Sequence, residues 1–320
     1  MERILYLDHL PDDLKQIVLK KVPAGVTLKF WSSLSDQQKD RELRQAVYFI
    51  LTAYKVDDNI LRIAENLKLI QKVGIGTDNI NLAAAARMEV PVSNTPGGNS
   101  ISVSEATILF ILALYRRLVE INPLTKQGNW YSWNFRSSSY EMYGKAHGLI
   151  GMGNIGYETA KRSAAFGTNI VYCDKRRLSG KKEKEINAQF VSLDKLLQVS
   201  DIISIHVPLL PETEGLIGAT EFKQMKNNAI LINVARGGVV NERDLYEALI
   251  EGRISGAAID AWESEPVRAD HPLLALDNVL ATPHIGGGTL DSFNRTLDMA
   301  FENLNRVRRG EEPKFIVNGQ

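Results

Sequence analysis

The chain has 320 residues, 44% hydrophobic and 24% charged, with 38 lysines and arginines balancing 38 aspartates and glutamates. A neutral chain of this make-up reads as a soluble globular protein of two lobes, with no basic field for a nucleic-acid backbone. The single cysteine, Cys173, excludes an intrachain disulfide, and Asp8 and His9 break the amino terminus where a secretory signal needs an apolar run, so the expectation is a cytoplasmic protein.

In chain order, Ile4–Leu7, Val26–Phe30, Val47–Leu51 and Leu69–Val73 read as strands, with helical patterns at Asp12–Lys20, Asp36–Arg44 and Asp57–Asn66 between them. The pattern is that of a parallel α/β lobe. The next segment, Ser102–Leu118, is a helix whose apolar stretch Ile108–Leu114 is far shorter than the ~20 residues of a membrane span, so it is expected to be buried. A second strand series follows at Leu149, Ile170–Cys173, Ile202–Ile205, Ile230–Val234, Gly256–Ile259 and Val279–Ala281, with Leu245–Glu251 among the helices. Finally Leu290, Phe293, Leu297, Phe301 and Leu304 form an apolar stripe on a helix returning to the first lobe. The expected fold is α/β: two doubly wound parallel-sheet lobes, one from residues 1–100 and 290–320, the other from 101–289. No short repeat or low-complexity tract is visible.

Gly151-Met152-Gly153-Asn154-Ile155-Gly156 fits G-x-G-x-x-G, a pattern that is weak alone. Its context strengthens it: Leu149 and Ile150 precede it, a helix from Asn154 to Phe166 follows and stops at Gly167, and the strand Ile170–Cys173 ends in Asp174. In such a βαβ unit Gly151 permits the tight turn, Gly153 lets the backbone approach a pyrophosphate, Gly156 lets helix and strand pack, and the helix amino terminus favours the negative charge. This predicts a dinucleotide-binding Rossmann lobe. Asp174 suits the ribose hydroxyls and would repel a 2′-phosphate, which favours NAD over NADP; the adjacent Lys175, Arg176 and Arg177 read as a solvated turn or as a phosphate grip.

Three polar residues stand at or just past strand ends of the second lobe, where open α/β sheets bind ligands: Arg236, Glu265 and His284. Arg236 offers a planar fork for a carboxylate or keto oxygen. His284 sits at a corner between Thr282-Pro283 and Ile285-Gly286, and Glu265 in an acidic turn before Pro266. Singly, each has an ordinary structural explanation: a surface ion pair, a structural histidine, a turn. No metal-ligand cluster is visible in the sequence.

Together, Asn233–Gly238, Asp260–Pro266 and Thr282–Gly287 resemble the D-2-hydroxyacid dehydrogenase family in order and spacing, and the resemblance covers nearly the whole chain. Val73–Asn79 and Asn94–Gly97 look like that family's substrate-lobe loops, and His206-Val207-Pro208-Leu209 like its loop beside the cofactor. The resemblance implies a Rossmann cofactor lobe with a flavodoxin-like substrate lobe, lobe closure hinged near Ser100 and Leu290, and hydride transfer at the nicotinamide. It further implies cofactor contacts at Ala235, Asp260 and Gly286, and substrate contacts at Tyr54, Lys72, Val73, Gly74, Gly76 and Asn94. In the chemistry so implied, Arg236 orients and polarises the keto acid, His284 exchanges the proton, and Glu265 orients the imidazole and favours its protonated form.

For the substrate, glyoxylate or hydroxypyruvate is preferred. Phosphoglycerate dehydrogenases commonly carry Arg-Ser where Leu51-Thr52 stand and arginine where Lys72 stands, and formate dehydrogenases carry glutamine where Glu265 stands. Phosphoglycerate remains the alternative, because Lys72 can act as a point charge. A reading of another class is an NAD(H)-sensing, corepressor-like binding protein, since such relatives can keep the same three residues. Trp130, Tyr131, Trp133, Phe135, Tyr140 and Tyr143 crowd into one short stretch of a segment, about 119–143, that matches the family's dimer arm, which predicts a homodimer.

Overall fold

In the computed structural model, which describes residues 2–319, the chain folds into two compact units. One comprises the residues up to Asn99 with those from Leu290 onward, the other Ser100–Thr289. The first unit is built on a five-stranded parallel sheet in the order β2-β1-β3-β4-β5, with β1 Glu2–Tyr6, β2 Val26–Phe30, β3 Tyr48–Leu51, β4 Leu69–Lys72 and β5 Val92–Ser93. Every residue of β3 and β4 is buried, as expected of strands covered on both faces. The sequence reading did not include β5: two residues are too short to show a period. Its free edge is covered by the chain's end, where Val317 N–H donates to the Val92 carbonyl at 2.8 Å and Val92 N–H to Asn318 Oδ1 at 2.7 Å.

The third helix, Asp58–Ile63, is shorter than its sequence pattern; the Asp57 carboxylate caps its start by accepting from the Asn59 and Ile60 amides. The returning helix, Leu290–Arg308, sets Phe293, Leu297, Phe301 and Leu304 in one cluster with Ile4, Tyr6, Tyr48, Ile50 and Leu69, which makes the last helix a layer of the first unit's core.

The second unit carries seven parallel strands in the order β12-β11-β10-β9-β6-β7-β8. They are β6 Ala146–Ile150, β7 Asn169–Cys173, β8 Ala188–Phe190, β9 Ile202–Ile205, β10 Ile230–Asn233, β11 Gly256–Ile259 and β12 Val279–Ala281. Strands β9, β10 and β11 are buried throughout, while the edge strand β8 exposes two of its three residues and therefore left no hydrophobic signal. The helix Ser100–Tyr115 is buried as expected, packing Val103, Phe110 and Ile111 among Ile202, Ile232 and Ala258. Among the described residues no helix is long and apolar enough to cross a membrane. Strand order reverses between β6 and β9, so the crevice beyond their carboxyl ends is where such a sheet takes a ligand.

Candidate active site

The glycine-rich turn lies at that reversal. Gly151 adopts φ +97°, and a Cβ there would come within 2.8 Å of the His206 backbone; a Cβ at Gly156 would lie 2.2 Å from the Gly151 carbonyl oxygen. These two glycines are needed for packing of turn, helix and neighbouring loop. Gly153 differs: a Cβ there meets nothing within 4 Å, so no packing requires it, and the fingerprint has a glycine there to let a pyrophosphate approach. The helix Asn154–Ala165 begins here with no side-chain cap on Gly153, an open helix amino terminus of the kind that suits an anion, while the Ile155 side chain packs inward. Asp174, at the end of β7, accepts from Met152 N–H at 2.6 Å and Arg176 N–H at 2.9 Å, fastening the turn to the ribose end while keeping oxygen lone pairs for hydroxyls. The cradle thus has the right donors, openings and acid for a dinucleotide.

The loop His206–Leu209 flanks it, with Val207 in reach of Gly151 and the Pro208 carbonyl accepting from Thr213 Oγ1 at 2.6 Å. His206 Nε2 is bonded to Ser204 Oγ at 2.8 Å, Ser204 in turn to His147 Nε2 at 2.8 Å, and His147 Nδ1 to Ser163 Oγ at 2.8 Å. Burial pushes both imidazoles down to about 3, so the chain is neutral at physiological pH.

Three loops at the carboxyl ends of β10, β11 and β12 hold the expected catalytic side chains. Buried Asn233 shapes the first: its Oδ1 accepts from Ala235 N–H at 3.1 Å and its Nδ2 donates to the Arg236 carbonyl at 3.0 Å. Arg236 is half-buried, with Nη1 donating to the Ala235 carbonyl at 2.7 Å. Gly237 then rests on the second loop so closely that a Cβ would lie 1.9 Å from the Trp262 carbonyl oxygen. That loop presents Glu265, whose Oε1 accepts from Trp262 N–H at 3.1 Å, and the Trp262 indole N–H donates across to the Thr282 carbonyl at 3.0 Å. The third loop carries His284 in the left-handed region, φ +55°. Asp260 holds it there: its carboxylate accepts from Thr282 Oγ1 at 2.7 Å and from the Ile285 and Gly286 amides, each at 2.8 Å. Asp260, expected at the cofactor, is therefore first of all the brace of the histidine loop.

The outcome is a carboxylate–imidazole pair. His284 Nδ1 lies 2.9 Å and 3.0 Å from the two Glu265 oxygens, and both side chains are 42% exposed, so the pair is accessible. Glu265 accepts only, which fixes the proton on Nδ1 and leaves Nε2 outside the pair. Among the described residues no group of three or more His, Cys, Asp or Glu is placed to hold a metal ion.

In the first unit the expected substrate loops are ordered by residues the sequence reading passed over. Asp8 accepts from the amides of Thr52, Ala53 (2.7 Å) and Tyr54 (2.8 Å), and the Tyr54 ring meets Trp31 edge-on at 5.8 Å. Lys72 is buried, its ammonium donating to the Thr52 carbonyl and to Asn79 Oδ1 at 2.8 Å. The point charge expected for a phosphate is thus engaged in tying two loops together. Of the residues expected to meet substrate, Val73 N–H donates to the Leu51 carbonyl at 2.7 Å and Gly74 N–H to Thr95 Oγ1 at 2.8 Å. Those two amides are spent, which leaves Ile75 and Gly76. Asn94 Nδ2 holds the same loop through the Ile75 carbonyl at 2.9 Å. A half-buried acid or a buried threonine that braces a loop has no sequence pattern, so only the fold reveals Asp8 and Thr95.

Comparison with known proteins places these features together. Residues 108–286 match the family model described as "D-isomer specific 2-hydroxyacid dehydrogenase, NAD binding domain". The chain belongs to the D-isomer specific 2-hydroxyacid dehydrogenase family. It is 41% identical to a glyoxylate reductase of Thermofilum pendens, over 86% of this chain and 81% of that protein. It is also 39% identical to a D-3-phosphoglycerate dehydrogenase of Archaeoglobus fulgidus over 92% of this chain, but spans only 55% of that relative's length. Among solved structures, the TT0316 protein of Thermus thermophilus matches with a TM-score of 0.87 at 33% identity, covering 98% of this chain and 99% of that one. As in other D-isomer specific 2-hydroxyacid dehydrogenases, the NAD-binding domain is the one built around the glycine-rich turn.

Proposed function

We propose that the protein is an NAD(H)-dependent dehydrogenase that interconverts a small 2-keto acid and its 2-hydroxy acid, with glyoxylate or hydroxypyruvate as preferred substrate. The observation that carries this reading is the Glu265–His284 pair, 2.9 Å apart, on the same ends of the parallel sheet as the glycine-rich turn. When bound, the nicotinamide supplies the hydride that reaches the keto carbon. Protonated His284 gives the Nε2 proton to the keto oxygen as charge develops there, and in oxidation the neutral ring takes the proton back from the hydroxyl. Glu265 keeps the ring in that orientation through its bond to Nδ1. Arg236 grips and polarises the acid with its planar fork.

Phosphohydroxypyruvate is the second reading, favoured by the similarity to the Archaeoglobus protein. The engagement of Lys72 with Thr52 and Asn79 weighs against it. NAD is the expected cofactor, because the Asp174 carboxylate after β7 would repel a 2′-phosphate and suits ribose hydroxyls. A second copy of the chain is expected over the aromatic segment 119–143, and the protein is expected in the cytoplasm.

The test follows NADH absorbance with glyoxylate, hydroxypyruvate, pyruvate, longer 2-keto acids and phosphohydroxypyruvate, then repeats it with His284→Ala. Oxidation of NADH by a small keto acid, reduced by at least ~10²-fold in the variant, is the expected result. Tight NADH binding with no turnover of any acid would replace the dehydrogenase with a cofactor-sensing binding protein.

A further inference from the structure

The ribose end of the dinucleotide cradle carries three consecutive cations, Lys175, Arg176 and Arg177, directly after Asp174. Such a run could bind a 2′-phosphate, yet the fold treats the three very differently. Arg177 donates from Nε to Glu183 Oε1 at 2.8 Å and from Nη2 to Glu183 Oε2 at 2.9 Å, and its guanidinium lies 5.8 Å from the centre of the Phe190 ring. Phe190 is on β8 and pairs with Tyr172 of β7, so the guanidinium is drawn toward the β8 edge.

Glu183 is itself anchored. The hydroxyl of fully buried Tyr172 donates to its Oε1 at 2.6 Å, and the same hydroxyl accepts from Leu178 N–H at 2.9 Å. The Glu183 side chain is 12% exposed, against 64% for Arg177. The Arg177 fork and the Tyr172 hydroxyl hold the carboxyl down to about 2, so it stays ionised at any working pH. Lys175 pairs with Glu212, but both are well exposed, and such a pair is weak. Arg176 has its amide on Asp174.

We propose that Glu183 is a cofactor-specificity residue: by holding Arg177 in a bidentate pair on the β8 side of the turn, it withholds that guanidinium from a 2′-phosphate and keeps the site selective for NAD(H). This inference deepens the NAD reading above and rests on it. A 2′-phosphate at this turn meets the Asp174 carboxylate, and to recruit Arg177 it must break two charge-assisted bonds to an acid already fixed in place. The released Glu183 would then keep only the Tyr172 hydroxyl, and its negative charge would face the phosphate as well. The cations that suggest NADP in the sequence are thus partly cancelled by an acid nine positions beyond Asp174. A purely architectural pair, tying the helix Gly180–Glu185 to the sheet, would affect all ligands alike.

Calorimetric binding of 5′-AMP and adenosine 2′,5′-bisphosphate separates these cases without any turnover. The wild type should prefer AMP. Glu183→Gln, which keeps the shape and the Tyr172 bond, should tighten the bisphosphate about tenfold or more, the scale of one hydrogen bond to a charged group, and leave AMP within about twofold. Adding Arg177→Ala to that variant should erase the gain. A wild type that prefers the bisphosphate would overturn the NAD reading itself. With the AMP preference intact, equal changes for both ligands in Glu183→Gln, or a bisphosphate gain that survives the added Arg177→Ala, would overturn the role of Glu183 and nothing else.

Discussion

At residue 237 one methyl group separates a packed site from a displaced one. The atoms a Cβ would strike are the Trp262 carbonyl oxygen at 1.9 Å and the Glu263 amide nitrogen at 2.4 Å, both backbone and neither able to rotate away. The Arg236 loop and the Glu265 loop touch only because this position is bare. Gly237→Ala should therefore cost about 1–3 kcal/mol of stability through overpacking. Since a shift of about 1 Å in a catalytic group costs about 10²-fold, turnover should fall on that scale. NADH binding at Gly151–Gly156 should hold, as fluorescence titration beside steady-state kinetics can check; near-normal turnover would mean that the contact does not set the position of the catalytic groups. His284 illustrates the same economy, since its left-handed backbone is held by three hydrogen bonds to Asp260. Arg236, Glu265 and His284 were legible as residues, because charged and imidazole side chains beside glycines and prolines leave motifs. Asp260 as a brace, and Gly237 as a steric necessity, were not, because each depends on a loop distant in sequence.

At the scale of elements, strands buried on both faces were readable as apolar runs, and β3, β9, β10 and β11 fall close to where those runs lie. Edge strands β5 and β8 were not, one being two residues long and the other mostly exposed. Strand β6 hides a further feature: His147, fully buried, bonds Ser163 on one side and Ser204 on the other, with His206 beyond. Burial, and secondarily the neighbouring His206, lowers its pKa to about 3 from an ordinary 6.5. Above pH 6.5 the ring is neutral in folded and unfolded chains alike, and its contribution is fully present. As pH falls from 6.5 toward 3 the unfolded chain takes up a proton that the folded chain refuses, so stability is lost over that window. Urea midpoints should decline from pH 6.5 to 4, and His147→Gln should be less stable at pH 7 yet decline less steeply. Parallel slopes for the two proteins would remove His147 from the acid response.

For the whole molecule the question is what covers the segment after the buried helix. No residue from Leu118 to Glu141 is buried, although the stretch holds Trp130 at 82% exposure and Trp133 at 72%, with Tyr143 at 78% just beyond. Local contacts, such as Arg136 stacked 3.9 Å over the Trp133 ring and Tyr131 edge-on to Phe135, organise the surface without hiding it. Exposed aromatic area of this kind is costly in water and is enriched where protein surfaces meet, so a second copy of the chain is its expected cover. Light scattering should give a mass near twice 35.7 kDa. Replacing Trp130 and Trp133 together by serine should shift that mass toward one chain at micromolar concentration, since buried tryptophans are the usual anchors of such an interface. The NAD-binding turn lies elsewhere in the sequence and should keep its affinity in the variant. A wild-type mass of 35.7 kDa would show that these aromatics do not hold two copies together.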